Sequence, residues 1–206
     1  MDSLTALLAG ARMEDAELLS TIRPWQLFQH LGDNNRVEMV IPTIPGTESL
    51  TVFALETQLL IAAARIVKAQ AILEVGTSLG YTAMHLAMNT DAEMIWTMDL
   101  VKKPRVFDGV RKGWAGRIRS FIASTEDLPP DDVDMVFIDG DHSREWLERD
   151  TEFAFKCNPR VIAWHDYGYS GAPDVKPYLN ELAETKDITH VEDSMLCFWF
   201  LCPPSK

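Results

Sequence analysis

The sequence is poor in the features that mark whole classes of protein. Among its 206 residues are only three cysteines, Cys157, Cys197 and Cys202, without the number or spacing of a disulfide framework or a zinc knuckle. Reduced thiols are the norm in the cytoplasm, which is the expected location. No apolar run reaches the roughly 18 residues of a membrane span. The apolar stretch near Met1 has no basic leader and follows Asp2, so it does not read as a signal peptide. Basic residues are scarce: 19 Lys and Arg stand against 31 Asp and Glu, a formal charge of −12. So acidic a surface repels phosphate backbones and anionic lipid, and neither nucleic acid nor membrane is expected as a partner. Repeats and low-complexity tracts are absent.

What remains is an ordinary soluble composition, 47% hydrophobic and 24% charged, long enough for one domain with a sizeable core. Residues 1–48 read as an N-terminal helical cap: short helices at Leu4–Ala9, Glu14–Ser20 and Trp25–Leu31, then a Pro- and Gly-broken loop at Ile41–Gly46. Residues 49–206 form the main domain. A helix is predicted over Leu50–Lys68, where Leu, Ala and Ile abound and Gly and Pro are absent. Strands follow at Ala71–Val75, Glu93–Met98, Arg117–Ile122, Val133–Ile138, Arg160–Trp164 and Met195–Leu201. Helices are predicted at Tyr81–Met88, Arg144–Cys157 and Val175–Thr185, with Val101–Trp114 helical in part. Such alternation implies βαβ units and a doubly wound, mainly parallel α/β sheet, which binds ligands beyond the carboxyl ends of its strands.

The loop after the first of these strands runs Glu74-Val75-Gly76-Thr77-Ser78-Leu79-Gly80-Tyr81. Gly76 and Gly80 suit close approach of backbone to a ligand. The dinucleotide fingerprint G-x-G-x-x-G is missing, because Ser78 stands where its second glycine would be. Glu74, in an apolar strand, either needs a cationic partner or caps the next helix. Asp99 ends the second strand, 23 residues after Gly76, where a carboxylate suits a ribose diol.

These segments resemble the class I S-adenosylmethionine-dependent methyltransferases, and among them the cation-dependent O-methyltransferases of the catechol and the bacterial sugar- and antibiotic-tailoring types. The resemblance rests on Leu73–Thr82, Trp96–Asp99, Ala123–Asp127, Phe137–His142 and Trp164–Tyr167, in that order, and covers roughly Leu50 to Tyr167. It implies a seven-stranded Rossmann-like methyltransferase sheet with an antiparallel last strand. It also implies S-adenosylmethionine as cofactor. Gly76, Thr77 and Tyr81 would line its methionine part, with Glu74, Ser78 and Gly80 completing the loop. Asp99 would hold the ribose, Ser124 and Thr125 would face the adenine, and Asp139 would close the site.

Methyl transfer from a sulfonium needs an aligned, nucleophilic acceptor oxygen. The resemblance implies Asp139 and His142 as catalytic residues, His142 being the general base, a role suited to an imidazole that titrates near neutrality. Either Asp139, His165 and Asp166 converge on a divalent cation, or His165 and Asp166 are a hydrogen-bonded pair that orients His142 or a loop. His165 stands where the resembled enzymes usually carry a carboxylate, so manganese, iron or zinc suits the set better than magnesium. The expected function is therefore O-methylation of a small-molecule acceptor, a phenol or sugar-like hydroxyl. An NAD-dependent oxidoreductase on the same sheet and a non-catalytic cofactor-binding scaffold are the alternatives. The aromatics Trp25, Phe28, His30, Trp146, Tyr167 and Tyr169 are either packing or the wall of an acceptor pocket. The segment Met195–Leu201 is either a buried last strand or a homo-oligomer interface. The basic cluster Lys102, Lys103, Arg105, Arg111 and Lys112 is expected on a solvated helix face.

Overall fold

The computed structural model describes residues 19–31, 36–39, 54–127 and 132–201. The expected helix Leu4–Ala9, most of Glu14–Ser20 and the loop Ile41–Gly46 lie outside these residues. The elements, in chain order, are β1 (Ser20–Ile22), α1 (Pro24–Phe28), α2 (Ala54–Ile66), β2 (Ala71–Val75), α3 (Tyr81–Asn89), β3 (Met94–Asp99) and β4 (Ile118–Ile122). They continue with β5 (Met135–Ile138), α4 (Arg144–Lys156), β6 (Val161–Trp164), α5 (Val175–Leu182), β7 (Ile188–Val191) and β8 (Cys197–Phe200).

One sheet holds all eight strands in the order β1-β7-β8-β6-β5-β2-β3-β4. Strand β8 is antiparallel to both its neighbours, β6 and β7. Every other pairing is parallel. The doubly wound sheet with an antiparallel last strand is thus as expected, with one strand more than the seven expected. Six of the eight strands fall on the segments expected; the two that do not are β7 and β1, which puts Ser20–Ile22 beside β7 at the edge of the sheet. Ser20 therefore belongs to a strand and not to the end of a helix. Its hydroxyl shares a hydrogen bond of 2.8 Å with Thr189, across the pairing. Strand β7, Ile-Thr-His-Val, is β-branched at three of four positions, which favours a pleated surface.

Helix α2 forms where Ala and Leu are concentrated and ends in a Schellman motif. Lys68 takes φ 51°, and the Ala69 N–H donates to Ala64 O at 2.9 Å. The helix lies on one face of the sheet and buries Leu59 to Ala63 completely; five consecutive residues go all the way round it, so α1 and α3 pack on it as well as the sheet. Helices α4 and α5 cover the other face, where Leu147, Phe153 and Leu179 pack on Val136, Ile162 and Trp164. The central strands are buried on both sides, so their sequences are continuous apolar runs such as Met135–Ile138 and Val161–Trp164. Trp164, fully buried, donates its indole N–H to Thr151 Oγ1 at 2.9 Å. Among the described residues no helix is long and apolar enough to cross a membrane.

The segment 101–112 carries no α-helix: it turns at 106–109, and a 3-10 helix follows at Gly113–Arg117. The basic cluster therefore has no helix face to occupy. Arg105 is buried, donating through Nη1 to Lys103 O, while Lys103 lines a cavity at the strand ends.

Candidate active site at the strand ends

The carboxyl ends of β2, β3, β4 and β5 open into a cavity of about 340 Å³. Its lining includes Gly76, Ser78, Asp99, Ser124, Thr125 and Asp139, six of the ten residues expected to hold a cofactor. The loop after β2 shapes one wall. Gly76 takes φ 101° and passes so close to β5 that an added Cβ would stand 1.9 Å from the Asp139 carbonyl oxygen. Ser78 takes φ 45°, so the left-handed turn is kept without a glycine. Its backbone N–H donates to Asp99 Oδ2 at 2.8 Å. The Val101 N–H donates to Asp99 Oδ1 at 3.0 Å. Each carboxylate oxygen thus retains an acceptor site beside the cavity.

The remaining four lie behind this wall. Gly80, with φ 80°, begins α3 against the Phe107 ring. Tyr81 is buried and stacks near His85. Thr77 and Glu74 are buried, and Thr97 Oγ1 reaches both Glu74 Oε2 and, at 2.6 Å, Thr77 Oγ1. Burial pushes the Glu74 carboxyl up to about 8, against the hydrogen bonds from Thr97 and the Ala83 backbone that favour its ionised form. Thr97 has a single proton for two partners. A neutral Glu74 resolves this, donating to Thr97, which then donates to Thr77. Glu74 therefore supports the loop from below and does not touch the cavity.

At the other end, β5 and β6 bring together Asp139, His142, His165 and Asp166. Asp166 takes φ 61°, a left-handed conformation that Asp tolerates better than most residues and that clusters at functional sites. His142 Nε2 lies 2.8 Å from Asp166 Oδ2 and 3.7 Å from Asp139 Oδ1, with no N–H aligned on either oxygen. The contact is ionic, and the carboxylates of Asp139 and Asp166 raise the His142 pKa to about 9 despite partial burial. His165 Nδ1 lies 3.3 Å from Asp139 Oδ1 and 3.2 Å from Asp166 Oδ1. Its Nε2 lies 3.1 Å from Glu56 Oε2. Burial disfavours charge on His165, but Asp139, Asp166 and Glu56 outweigh it and push the pKa up to about 12. Asp166 shows the reverse balance: burial opposes ionisation, yet the two histidines hold its carboxyl well below the usual range.

The set fits a divalent ion. Asp139, His142 and Asp166 each offer one ligand atom, all within 4.8 Å of one another. His142 Nε2 and His165 Nδ1 are buried atoms without a hydrogen-bond partner. One imidazole with two carboxylates suits manganese, iron or zinc. His142 joins Asp139 and Asp166 in this group, and His165 presents Nδ1 to the same two carboxylates with its Nε2 toward Glu56.

Glu56 itself carried no signal in the sequence, since a glutamate in an Ala- and Leu-rich helix ordinarily faces solvent. It is 2% exposed and accepts the Met195 N–H at 2.7 Å as well as holding His165. Asp141, Trp146 and Asp150 also line the cavity, and Leu100 and Val101 stand over half exposed at its mouth. Of the expected acceptor-pocket aromatics only Trp146 reaches this cavity. Tyr167 is buried, its hydroxyl donating to Asn180 Oδ1 at 3.0 Å.

No family model matches the sequence, and no curated protein matches it. Solved structures do. TomG of Streptomyces achromogenes, an O-methyltransferase involved in tomaymycin synthesis and crystallised with S-adenosylmethionine, superposes with a TM-score of 0.59 at 18% identity, covering 97% of this chain and 96% of its own. Cofactor-bound Rv0187 from MTB gives 0.57 at 18% identity, with 100% and 98% covered. A putative O-methyltransferase from Klebsiella pneumoniae gives 0.55 at 16% identity, with 98% and 97% covered. At these identities it is the architecture that is shared, over essentially the whole chain: this protein has the Rossmann-like fold of the class I methyltransferases.

Proposed function

We propose that the protein is an S-adenosylmethionine-dependent O-methyltransferase acting on a hydroxyl of a small molecule, phenolic or sugar-like. The observation that carries this reading is the charge of the cavity. Asp99, Asp139, Asp141 and Asp150 line it, against the single ammonium of Lys103. Such a wall repels the pyrophosphate of a dinucleotide and favours a ligand bearing a sulfonium and an ammonium group. The serine at position 78 also argues against a nicotinamide cofactor, because the dinucleotide fingerprint lacks its middle glycine.

In this reading Asp99 accepts hydrogen bonds from the ribose hydroxyls, Ser124 and Thr125 face the adenine, and the Gly76 turn admits the methionine part. The sulfonium then lies toward Asp139 and His142. His142 takes the proton from the acceptor hydroxyl, and Asp139 and Asp166 stabilise the imidazolium that results. Glu56 and His165 hold the two carboxylates in place from behind. Asp139 and Asp166, joined by His142 or His165, would hold a divalent ion, which when bound lowers the pKa of the acceptor hydroxyl. A nitrogen of His142 engaged by the ion is not free to act as base, so chelation separates the two roles. Retained activity in chelator with loss in His142→Ala identifies the base; loss of activity in chelator, restored by manganese or zinc, identifies a metal centre. The domain division at residue 48/49 and the cytoplasmic location are part of the same proposal.

The experiment is a transfer assay with isotopically labelled S-adenosylmethionine and a panel of phenols and sugars. Label recovered on an acceptor oxygen supports the reading. Binding of the cofactor with no transfer to any acceptor points instead to a cofactor-binding scaffold.

A further inference from the structure

Strand β4 is unlike the central parallel strands of the sheet. It pairs with no strand but β3 among the described residues, and of its five residues only Ile118 is buried. Parallel strands are ordinarily covered on both faces by the helices of their crossovers. Here the crossover before β4, residues 100–117, and the described part of the one after it carry no α-helix. The strand therefore shows solvent both its faces and a free backbone edge. Phe121 and Ile122, on opposite faces, are 37% and 54% exposed. The register sets Asp99 beside Ile122, so Leu100 and Val101, both over half exposed, extend the same apolar corner.

The charge of this corner is the reverse of the whole. Residues 100–119 hold seven of the 19 Lys and Arg and one of the 31 Asp and Glu. Lys102, Lys103, Arg111, Lys112 and Arg119 are exposed. Among the described residues none of these five forms an ion pair, whereas Arg23, Arg144, Arg149 and Arg160 all do. The cations are gathered where the chain offers them no carboxylate, and they make a local positive field on an acidic protein.

We propose that this corner docks an acidic, apolar-bearing extended segment of another protein, which adds a strand to the free edge of β4. Such a segment satisfies the edge N–H and C=O groups with its own backbone, and its alternate side chains meet Phe121 and Ile122. Its carboxylates meet Lys102 and Arg119. A segment of a few residues stays within roughly one Debye length, about 8–10 Å, of these cations. A nucleic-acid duplex or an anionic bilayer is broader than the corner and also faces the acidic remainder of the protein. A second copy of this chain fits poorly too, because two-fold pairing of β4 with β4 sets one basic cluster against the other. Leu100, Val101 and Lys103 also line the cavity, so the docked segment borders its mouth, whatever the cavity binds.

The test uses the full chain and a fluorescein-labelled decapeptide of alternating Glu and Val, followed by fluorescence anisotropy beside its Lys–Val counterpart. The acidic peptide should bind at least roughly 10-fold more tightly, and raising sodium chloride from about 50 to about 300 mM should weaken it severalfold. Amide hydrogen exchange at 119–122 should slow in the complex, an effect that charge attraction alone does not produce. Lys102→Glu combined with Arg119→Glu should cost roughly 10-fold or more in affinity with the melting temperature retained. Ile122→Asp should show the same loss and serves if the double variant fails to fold. Equal affinity for the two peptides, unchanged exchange at β4, or indifference to these variants overturns the proposal. So does self-association in sedimentation that protects β4 without peptide, which makes a second copy the occupant. Co-sedimentation with phosphatidylglycerol vesicles, lost in the same variants, overturns it in favour of a membrane surface.

Discussion

At the scale of single residues, the site is a balance of buried charges, and pH is the variable that exposes it. Glu74 is the simplest case. Its folded pKa of about 8 lies above the ordinary value of 4.5, so the folded state binds the proton more tightly than the unfolded chain does. The stability this confers is complete below the unfolded value and is lost as pH rises through about 8. A permanently neutral Glu74→Gln should therefore melt close to the wild type at pH 5 and above it at pH 8.5. Thermal melts across that range check the sign; a gap that shrinks with rising pH contradicts it. His142 carries the corresponding prediction for turnover. With its pKa near 9, the free base is the minor form at neutral pH in the metal-free protein. Turnover in chelator should rise with pH through a midpoint near 9 and level off above it, and His142→Ala should lose roughly 100-fold or more together with that rise. The residues Asp139, His142 and Asp166 were legible in the sequence because they follow apolar strands in a recognisable order. Glu56 and Asp150 were not: each sits on a helix, where an isolated acid looks the same whether it faces solvent or a buried partner.

At the scale of elements, the turn after β2 is the part with least room for change. Gly76 combines a positive φ with a Cβ direction blocked by the Asp139 backbone. Gly76→Ala should cost about 2 kcal/mol or more of stability, and any rescue must come from displacing the loop that carries Asp139 and His142. The expected result is a lowered melting temperature together with lost cofactor binding; an unchanged melt with intact binding contradicts the packing described. The regular elements of the main domain, β2 above all, were readable because long apolar runs bounded by Gly, Asp or Asn admit few alternatives. Strands β1 and β7 were missed for a physical reason. Each is three or four residues long, and each is held by its place in the sheet more than by local preference. The segment Val101–Trp114, expected to be helical in part, is helical only at its end, where the 3-10 helix Gly113–Arg117 begins. Of its charged residues, one, Arg105, is buried, and another, Lys103, turns to the cavity.

At the scale of the whole molecule, the acidity that seemed only to oppose nucleic acid is concentrated where a ligand would sit. Four carboxylates and one ammonium line the cavity, and the fold places that cavity beyond the carboxyl ends of its parallel strands, where doubly wound sheets bind ligands. The sequence carried this much only in part: the turn, Asp99 and the strand order could be read, but the convergence of Asp141 and Asp150 on the same space could not. The most direct measurement is calorimetric titration of the protein with S-adenosylhomocysteine, repeated with Asp99→Ala. Saturable binding, weakened roughly 10- to 100-fold when the ribose-facing carboxylate is removed, is the predicted result. No heat of binding in the folded wild-type protein, or an affinity indifferent to Asp99→Ala, would contradict it.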